Sequence, residues 1–436
     1  MTVYNLVSFA GIFVLAGVAW LFSSNRRVVN ARVLFWGIGL QLLVACFIFI
    51  VPVGTTIFLW VNDAVTAVLG TAMAGVQFVF GRLALPPGAV NEAGETSLGY
   101  FLAFQGLPTI IFFAALLGAL YYLGVMPFFV RLFARIFSRT MRISGAEALS
   151  VSANIFVGVE SALVVRPHLK DMTVSELGTI ITAGMGTIAS TVLAMYVLML
   201  QKEIPTIAGH LVSASFISAP ACIVMAKLIM PETEKPLTLG LDVKPHYERE
   251  DNLIMAVING AGEGLKLLGG IVTLLIAFLG LLALVNLGLG WAGGLVNGLF
   301  GWHVKWSLEA FLGYLFYPLT LAMGVPPSDA LPIAKVLGDR TILTEVFSYR
   351  RLAELIAGGA LRDPRSAIIA SYALCGFAHV ASLAIFVGGT SALVPTRIKD
   401  ISRIGFRALL AATLACLMTG AVAGTFYTGS SLLFRR

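Results

Sequence analysis

Apolar runs of helical length alternate with short polar or glycine-rich interruptions along almost the whole chain. A helix that crosses a membrane needs about 20 apolar residues. We therefore predict spans at residues 5–23, 33–52, 107–130, 174–200, 207–230, 265–288, 366–394 and 403–428. Residues 52–81 are also apolar but contain Asn62, Asp63 and four glycines. This composition predicts a helix that lies along the membrane interface or packs within an oligomer.

Two further apolar stretches are too short and too polar to be ordinary spans, and each contains a break and a glutamate. Residues 144–165 are rich in small side chains and break at Gly158, and Glu160 follows that break. Residues 330–349 break around residues 338–341, and Glu345 follows that break. Such segments are typical of re-entrant hairpins, because irregular backbone at membrane depth is tolerated only where protein or water satisfies its amides.

The two hairpins begin two repeats with the same order of parts. Each is followed by a helix interrupted by glycine and hydroxyl residues, GMGTIAST at 184–191 and ALCGFAHVAS at 373–382, and then by one more span. Two interrupted helices in corresponding positions indicate a transporter's solute site at the bilayer midplane, between repeats of inverted topology. The repeats match in pattern and not in residue identity.

These elements divide the chain into four parts and a tail. We expect scaffold helices with the interfacial helix in residues 1–106, a first transport repeat in 107–230, a cytoplasmic loop with the sixth span and an interfacial segment in 231–306, a second transport repeat in 307–428, and the tail in 429–436. Residues 231–251, rich in Lys, Glu and Pro, predict a solvated loop.

Composition assigns the chain to the all-α integral membrane proteins. Hydrophobic residues make up 58% of the 436, charged residues only 12%, and the mean hydropathy is +0.92; a soluble domain carries roughly twice that charge. The first apolar run has no basic residue before it and no small-residue cleavage site after it, so we expect a retained span and not a signal peptide. The four cysteines lie apart, without CxxC spacing, and indicate no disulfide framework or metal site.

Positive charge is concentrated at the edges of the loops. The net charge of +7 fits attraction to anionic lipid at a cytoplasmic membrane surface better than nucleic-acid binding. Arginines follow the first and third spans and precede the eighth, which predicts that those loops are cytoplasmic and that both termini lie outside. The basic residues within 350–365 disagree with this orientation. We expect a multi-pass protein of the plasma (inner) membrane.

Three ionisable residues carry the candidate chemistry: Glu160, Glu345 and His379. A carboxylate at membrane depth is costly and normally lines a polar cavity or pathway, although both glutamates could instead be tied to backbone amides. His379 is either a structural hydrogen-bond donor or a proton-sensitive partner of Glu345. An embedded enzyme would use the same residues, but no HExxH, GxSxG or metal cluster occurs. A channel does not need two hinged hairpins, so a carrier is favoured and no enzyme is expected.

Several motifs carry a resemblance to one family. NIFVG at 154–158, VVRP at 164–167, LLIAFLGLLALVN at 274–286, SYALCGFA at 371–378 and GG at 388–389 resemble the concentrative nucleoside transporters. The resemblance covers about residues 5–428. It implies a homotrimer whose protomers each have eight transmembrane helices, two re-entrant hairpins and an interfacial helix. It also implies that a transport portion moves like an elevator against a scaffold, driven by a sodium gradient or, as second choice, a proton gradient.

The resemblance also implies an ion site. In sodium-coupled members, an asparagine of the first hairpin, a hydroxyl of the fourth span and nearby carbonyls bind the cation; here these are Asn154, Thr187 and the carbonyls of Val157 and Ile188. A hard cation prefers oxygen ligands, which interrupted helices release. The alternative is that Asn154 caps a half-helix and Thr187 bonds back to its own helix. Proton coupling would use a glutamate as carrier instead.

The implied solute site departs from the family at the base-binding end. The usual GQTEAPL of the first hairpin, whose glutamine, threonine and glutamate face the nucleobase, is GVESAL here, one residue shorter. Glu160 takes the place of the glutamate, with Val159 and Ser161 beside it, and the amide is missing. Val192 of the fourth span is expected to line the same site. The solute is therefore a nucleoside, a modified nucleoside, a nucleobase or another ribosyl compound.

The sugar-binding end departs less. In the second hairpin, the family's NEF motif is replaced by TEV at residues 344–346, and its glutamate is retained as Glu345. The resemblance implies that this carboxylate binds the ribose hydroxyls through charge-assisted hydrogen bonds. His379 replaces the ribose-binding asparagine of the family's FAN in the seventh span, while Phe377 and Ser382 are retained. Solute, sodium or proton, and membrane lipid are the partners this implies, with no nucleic acid.

Overall fold

Helices make up most of the chain that the structure describes, and turns and irregular segments make up the remainder. The computed structural model describes residues 2–91, 94–246, 250–301 and 303–429, and the side chains of these except Val159 and Glu160. Within these ranges there is no strand, and only two isolated bridges occur. The predicted all-α membrane architecture is confirmed. The predicted tail at 429–436 lies almost wholly outside the described residues.

The N-terminal third supplies six helices and a short 3-10 helix. They are α1 Val3–Leu21, α2 Ala31–Phe49, α3 Pro52–Phe80, the 3-10 helix Gly81–Ala84, α4 Leu102–Gln105, α5 Thr109–Tyr122 and α6 Val125–Met141. The long α3 corresponds to the segment predicted to lie along the interface. By length and composition it could also cross a membrane, as residues 52–84.

The first hairpin and its following helices form the next group. They are α7 Gly145–Asn154, the 3-10 helix Val159–Asp171, α8 Val174–Gly186, α9 Ser190–Leu200 and α10 Ile207–Ile229. The break between α7 and the 3-10 helix agrees with the predicted one. Helices α8 and α9 together make the predicted fourth span, interrupted at residues 187–189.

The C-terminal half repeats this order after one very long helix. Its elements are α11 Leu253–Phe300, α12 Leu308–Ala322, α13 Pro327–Ile342, α14 Glu345–Ala357, α15 Pro364–Ala373, α16 Val380–Leu393, the 3-10 helix Pro395–Arg397 and α17 Ile398–Phe426. Helices α13 and α14 form the second hairpin, and α15 and α16 are the two halves of the predicted seventh span. Eight stretches of described helix are long and apolar enough to span a membrane, but they include α3 and omit α15 with α16.

The predicted third span, residues 107–130, is divided in the structure. Helix α5 ends at Tyr122, and Gly124 adopts a left-handed conformation (φ 79°) before α6 begins, which glycine adopts without strain. Helix α6 buries Val130, Ala134 and Phe137 on one side and exposes a mixed apolar and basic face on the other. This amphipathic pattern is that of a surface helix, so the chain turns where an unbroken span was expected.

The second hairpin breaks later than its sequence suggested. Residues 338–341 remain helical because Gly338 packs against α12: a Cβ atom there would lie 2.7 Å from the Cβ of Leu312. The break falls at residues 343–344, where the Thr344 side chain accepts from the backbone N–H of Phe347 (3.4 Å) and caps α14. The prediction mistook a packing glycine for a helix end.

The long helix α11 is mostly exposed, and its contact with α5 depends on glycine. A Cβ atom on Gly118 would lie 2.5 Å from the Ala256 carbonyl oxygen, and one on Gly260 would lie 2.7 Å from the Ala114 carbonyl oxygen. Small residues let membrane helices approach closely in this way. Only four residues of this helix are buried, Ala256, Gly264, Leu282 and Gly293. The core lies instead in the hairpins, α8, α10, α15 and α17.

The loop predicted at 231–251 is attached to the first hairpin. The backbone N–H of Gly145 donates to the Thr238 carbonyl (2.9 Å), and the backbone N–H of His246 donates to the Val164 carbonyl (2.9 Å). Beneath the loop, Lys227 Nζ lies 2.8 Å from Glu147 Oε1, and both side chains are buried. The loop is therefore only partly solvated, because it satisfies backbone groups of the hairpin.

Candidate functional site

The two interrupted helices meet at their breaks. The Cys416 thiol of α17 lies 3.7 Å from the Gly186 carbonyl oxygen and 3.5 Å from the Cys375 carbonyl oxygen. Gly376 has a φ of 156°, and a Cβ atom there would lie 2.6 Å from Cys416 Sγ and 2.9 Å from the carbonyl carbon of Gly186. Glycine is therefore required where the two unwound segments touch. Broken helices with released backbone groups at a shared centre are typical of transporter binding sites.

Glu345 begins the first turn of α14 and is buried beside this centre. Its Oε1 accepts a hydrogen bond from the Tyr196 hydroxyl at 2.6 Å. Its Oε2 lies 2.9 Å from His379 Nε2. The structure thus brings together two residues, Glu345 and His379, that the sequence assigned to the sugar end of a solute site. Oε1 thus has a hydrogen-bond donor, and Oε2 lies within ion-pair distance of the imidazole.

The tautomer of a neutral His379 ring follows from its second contact. His379 is the N-cap of α16, and its Nδ1 accepts from the backbone N–H of Ser382 at 3.1 Å. Since that N–H can only donate, the ring proton is on Nε2 and points at Glu345. The Ser382 hydroxyl bonds to the carbonyl oxygens of Phe377 and of His379, the latter at 2.7 Å. Neither His379 nor Ser382 therefore has an uncommitted proton to donate.

Tyr196 was not predicted from the sequence. It lies on α9, is fully buried, and stacks on Tyr349 with ring centroids 4.5 Å apart. The Tyr349 hydroxyl in turn donates to the Ser371 carbonyl at 2.9 Å. The available signal was a phenol inside the otherwise aliphatic run STVLAMYVLML, because a buried hydroxyl needs a hydrogen-bond partner.

The other predicted solute residues are distributed around this centre. Val192 is fully buried on α9, one turn before Tyr196, and Phe377 is half-buried in the break between α15 and α16. Ser161 is buried, but its hydroxyl faces the Asn154 amide. Val159 and Glu160 belong to the 3-10 helix after the first hairpin's break, and their side chains lie outside the described part of the structure.

The residues predicted to bind the ion lie at the other break. In the amide orientation that satisfies its neighbours, Asn154 donates to the carbonyls of Val157 (3.3 Å) and Gly158 (3.0 Å). The Thr187 hydroxyl donates to the Asn154 carbonyl (3.1 Å) and to the Ala183 carbonyl (3.0 Å). These hydrogen bonds connect Asn154 with Val157 and with Thr187. The hydrogen bond from Thr187 to Ala183 of its own helix, which was the alternative role for this residue, is present as well.

Ile188 follows Thr187 in the unwound segment and is fully buried. The potential ligands at this break are carbonyl, amide and hydroxyl oxygens, which suit a hard cation. Among the residues that the structure describes, no group of three or more His, Cys, Asp or Glu side chains could hold a metal ion.

A cavity of about 710 Å³ approaches the first hairpin from the side of α5 and α11. Val157, Gly158 and Thr191 line it together with Arg166 and Asn259. Its volume lies within the usual range for small-molecule pockets. Neither Glu345 nor His379 lines it, so we interpret it as an approach to the tip of the hairpin.

Family models match most of the chain. Those described as Na+ dependent nucleoside transporter C-terminus, Na+ dependent nucleoside transporter N-terminus and Nucleoside recognition match residues 210–424, 10–83 and 103–203. Solute carrier family 28 member 3 of Mus musculus is 38% identical over 96% of the chain. The alignment covers 58% of that relative, so the chain spans about three fifths of the length of such relatives. An uncharacterized transporter of Haemophilus influenzae is 35% identical, with 97% of each chain covered.

Solved structures of CNTnw have the same fold. An inward-facing, substrate-bound state is 34% identical and gives a TM-score of 0.85, with 97% of this chain and 98% of that one covered. A variant in an outward-facing state is 32% identical with the same TM-score, and 98% of each chain is covered. Two opposite orientations are thus known for one protein of this architecture, as alternating access requires.

Proposed function

Because the chain belongs to the sodium-dependent nucleoside transporter family, we propose that it imports a nucleoside or a nucleoside-like solute together with sodium. The family consists of multi-pass membrane transporters and not of enzymes. The observation that carries the proposal is the buried Glu345 carboxylate, held by Tyr196 and His379 beside two broken helices. Ionisable groups at such depth are retained for solute or ion pathways.

The sugar of the solute binds at Glu345. An ionised carboxylate has about four lone-pair sites; Tyr196 uses one on Oε1, and His379 Nε2 lies beside Oε2. The two vicinal hydroxyls of a ribose donate to the remaining sites through charge-assisted hydrogen bonds. The hydrogens of His379 and Ser382 already point at neighbouring groups of the protein. This end of the site therefore offers only hydrogen-bond acceptors and selects a solute that donates hydrogen bonds. We therefore favour a ribosyl compound over a free nucleobase.

The base of the solute lies against Val192 and Phe377, near Val159, Glu160 and Ser161 of the first hairpin. A base stacked on an aromatic ring such as Phe377 gains about 1–3 kcal/mol. The missing hairpin glutamine removes the amide that reads a base edge, and the Ser161 hydroxyl is engaged with Asn154. A modified nucleoside is consequently the alternative to a common one.

Sodium binds at the first break, with ligands from Asn154, Thr187 and the carbonyls of Val157 and Ile188. The contacts among the first three of these residues support the assignment. A bound cation would replace the hydrogen bonds that Asn154 and Thr187 now make to neighbouring carbonyls. Proton coupling is the second candidate because Glu345 and His379 form an acid–base pair.

Helix packing supports a proposal for which parts of the protein move and which stay fixed. We propose that α11, with its mostly exposed surface, belongs to a scaffold that forms a homotrimer in the inner membrane. Because α5 interlocks with α11 through glycine contacts, α5 joins the scaffold and the first transport repeat begins with the hairpin at residue 144. The second repeat runs from the second hairpin to residue 428, and the two repeats move together as an elevator.

Uptake into proteoliposomes tests the function. We expect accumulation of a ribonucleoside that requires an inward sodium gradient and disappears when choline replaces sodium. Glu345→Gln should abolish solute binding and leave the oligomeric state on size-exclusion chromatography unchanged, whereas Glu354→Gln, an exposed glutamate of the same helix, should behave like the wild type. Wild-type uptake by Glu345→Gln would remove the sugar assignment. Gradient-independent flux would indicate a channel, and a chemically altered solute would indicate an enzyme.

A further inference from the structure

Arg340 is a fully buried arginine in the last turn of α13. Its Nη1 donates to the carbonyl oxygen of Ala373 at 2.5 Å. The Cys416 thiol lies beside the guanidinium, but neither Nε nor Nη2 donates to an oxygen atom, and no carboxylate of the described residues lies within ion-pair distance. The nearby Asp339 is engaged with Arg351 instead. A guanidinium keeps its charge in proteins, so this is a buried cation without a counter-ion.

The surroundings of Arg340 compensate this charge with dipoles. Ala373 is the last residue of α15, and the C-terminal end of a helix carries a partial negative charge. Beyond it, residues 374–379 are unwound, which releases carbonyl groups that no longer bond within a helix. The guanidinium therefore lies at the carbonyl end of a broken helix. This is the environment that a bound alkali cation uses in transporters of this kind.

In the first repeat, the corresponding meeting point of hairpin and broken helix is part of the proposed sodium site. There the last residue of the hairpin's first helix, Asn154, meets Thr187, which follows the last residue of α8. In the second repeat the last turn of the hairpin's first helix, at Arg340, meets the last residue of α15. The repeats correspond element by element, so the guanidinium and the proposed ion occupy equivalent places.

We infer that Arg340 is a tethered cation that takes, in the second repeat, the place of a coupling ion. Two consequences follow. The second repeat needs no dissociable ion, so one sodium ion accompanies each solute. Arg340 also acts as a positioning residue, because it holds the end of α15 and with it the break that carries His379 to Glu345. The stoichiometry rests on the proposed function, whereas the need for a cation at this place does not.

Three substitutions of Arg340 test the inference. Arg340→Lys keeps a cation and should retain sodium-driven uptake. Arg340→Met keeps much of the volume without the charge, and Arg340→Ala leaves a space of guanidinium size; both should lower uptake at least about tenfold. Low millimolar guanidinium should restore uptake by Arg340→Ala and should not affect the wild type. Arg350→Met, which removes an exposed arginine of α14, is the matched control and should change nothing.

A thermal-shift measurement on purified protein provides a readout independent of transport. Guanidinium at the same concentration should raise the melting temperature of Arg340→Ala and not that of the wild type, because a ligand that binds only the native form stabilises it. The Hill coefficient for sodium activation of the wild type should be about one. Wild-type uptake by Arg340→Met would overturn the inference. So would a folded Arg340→Ala protein that guanidinium neither stabilises nor rescues, or a wild-type Hill coefficient near two.

If Arg340→Ala does not fold, the comparison of Arg340→Lys with Arg340→Met and the wild-type Hill coefficient still decide the matter. A wild-type protein that transports no nucleoside would refute the proposed function but would leave the thermal-shift comparison valid. The two proposals therefore fail separately.

Discussion

The Tyr196 hydroxyl is one of two donors that hold Glu345, so Tyr196→Phe isolates the contribution of that hydrogen bond. The substitution removes a donor 2.6 Å from Oε1 in a fully buried site. The ring remains, and with it the stacking on Tyr349 at 4.5 Å. The change therefore leaves the packing intact and lets the carboxylate turn away from the orientation in which it meets the solute.

The size of the effect follows from the charge of the acceptor. A hydrogen bond to a charged group contributes about 1.5–3 kcal/mol, and about 1.4 kcal/mol corresponds to a tenfold change in an equilibrium constant. Because His379 continues to hold Oε2, we expect the lower end of this range. The solute Kd of Tyr196→Phe should rise about tenfold, while the maximal uptake rate should change much less.

Equilibrium binding of radiolabelled ribonucleoside to purified protein measures this Kd, and uptake into proteoliposomes measures the rate. Tyr349→Phe is the matched control, since its hydroxyl donates to the neutral Ser371 carbonyl and not to Glu345. That variant should lose some thermal stability and keep wild-type solute affinity. An unchanged Kd in Tyr196→Phe, or an equal loss of affinity in Tyr349→Phe, would refute the positioning role of Tyr196.

Three further predictions concern other parts of the molecule. Asn154→Ala should raise the sodium concentration for half-maximal uptake without changing which solutes compete, and an unchanged sodium dependence would contradict the ion site. Lys227→Met leaves Glu147 as an uncompensated buried charge, so the free energy of unfolding should fall by about 3–5 kcal/mol; the double variant with Glu147→Leu should melt closer to the wild type. His379→Asn supplies an additional donor and acceptor for the ribose hydroxyls, which a 2′-deoxynucleoside would leave partly unpaired. Competition by a 2′-deoxynucleoside should therefore weaken relative to the ribonucleoside, and equal ratios in both proteins would contradict the view that the wild-type site only accepts hydrogen bonds from the sugar.

Short-range patterns predicted most of the elements and some of the contacts. Uninterrupted apolar runs predicted both ends of α1, α2 and α10 to within three residues. A long apolar helix can be recognised from its own sequence, without knowledge of the residues that pack against it. The interruptions at 187–189 and 374–379 were visible as glycine and hydroxyl clusters inside such runs. The contact between Glu345 and His379 was anticipated through the family resemblance, and their distance of 2.9 Å agrees with it.

The wrong and missed predictions concern positions where one local sequence is compatible with more than one structure. The sequence predicted a helix break around Gly338, but this glycine lies within α13 and packs against α12. Conversely, no break was predicted at Gly124, where the chain turns and the predicted third span is divided. The assignment of Ser161 to the solute site stays a prediction, and its hydroxyl faces the Asn154 amide. Tyr196 was overlooked because its partner lies 149 residues away in the chain. The outcomes at Gly338 and Tyr196 depend on neighbours that are remote in sequence, Leu312 and Glu345.

The sequence by itself determined that the protein is helical, lies in a membrane and contains two similar repeats with broken helices, because these properties follow from hydropathy and from glycine placement along a single segment. The tertiary structure decided which groups meet at the breaks: Tyr196 and His379 at Glu345, Thr187 at Asn154, and Arg340 at Ala373. The physical reason is that burial makes charges and hydroxyls depend on partners, and those partners are supplied by other helices whose distances no local pattern encodes.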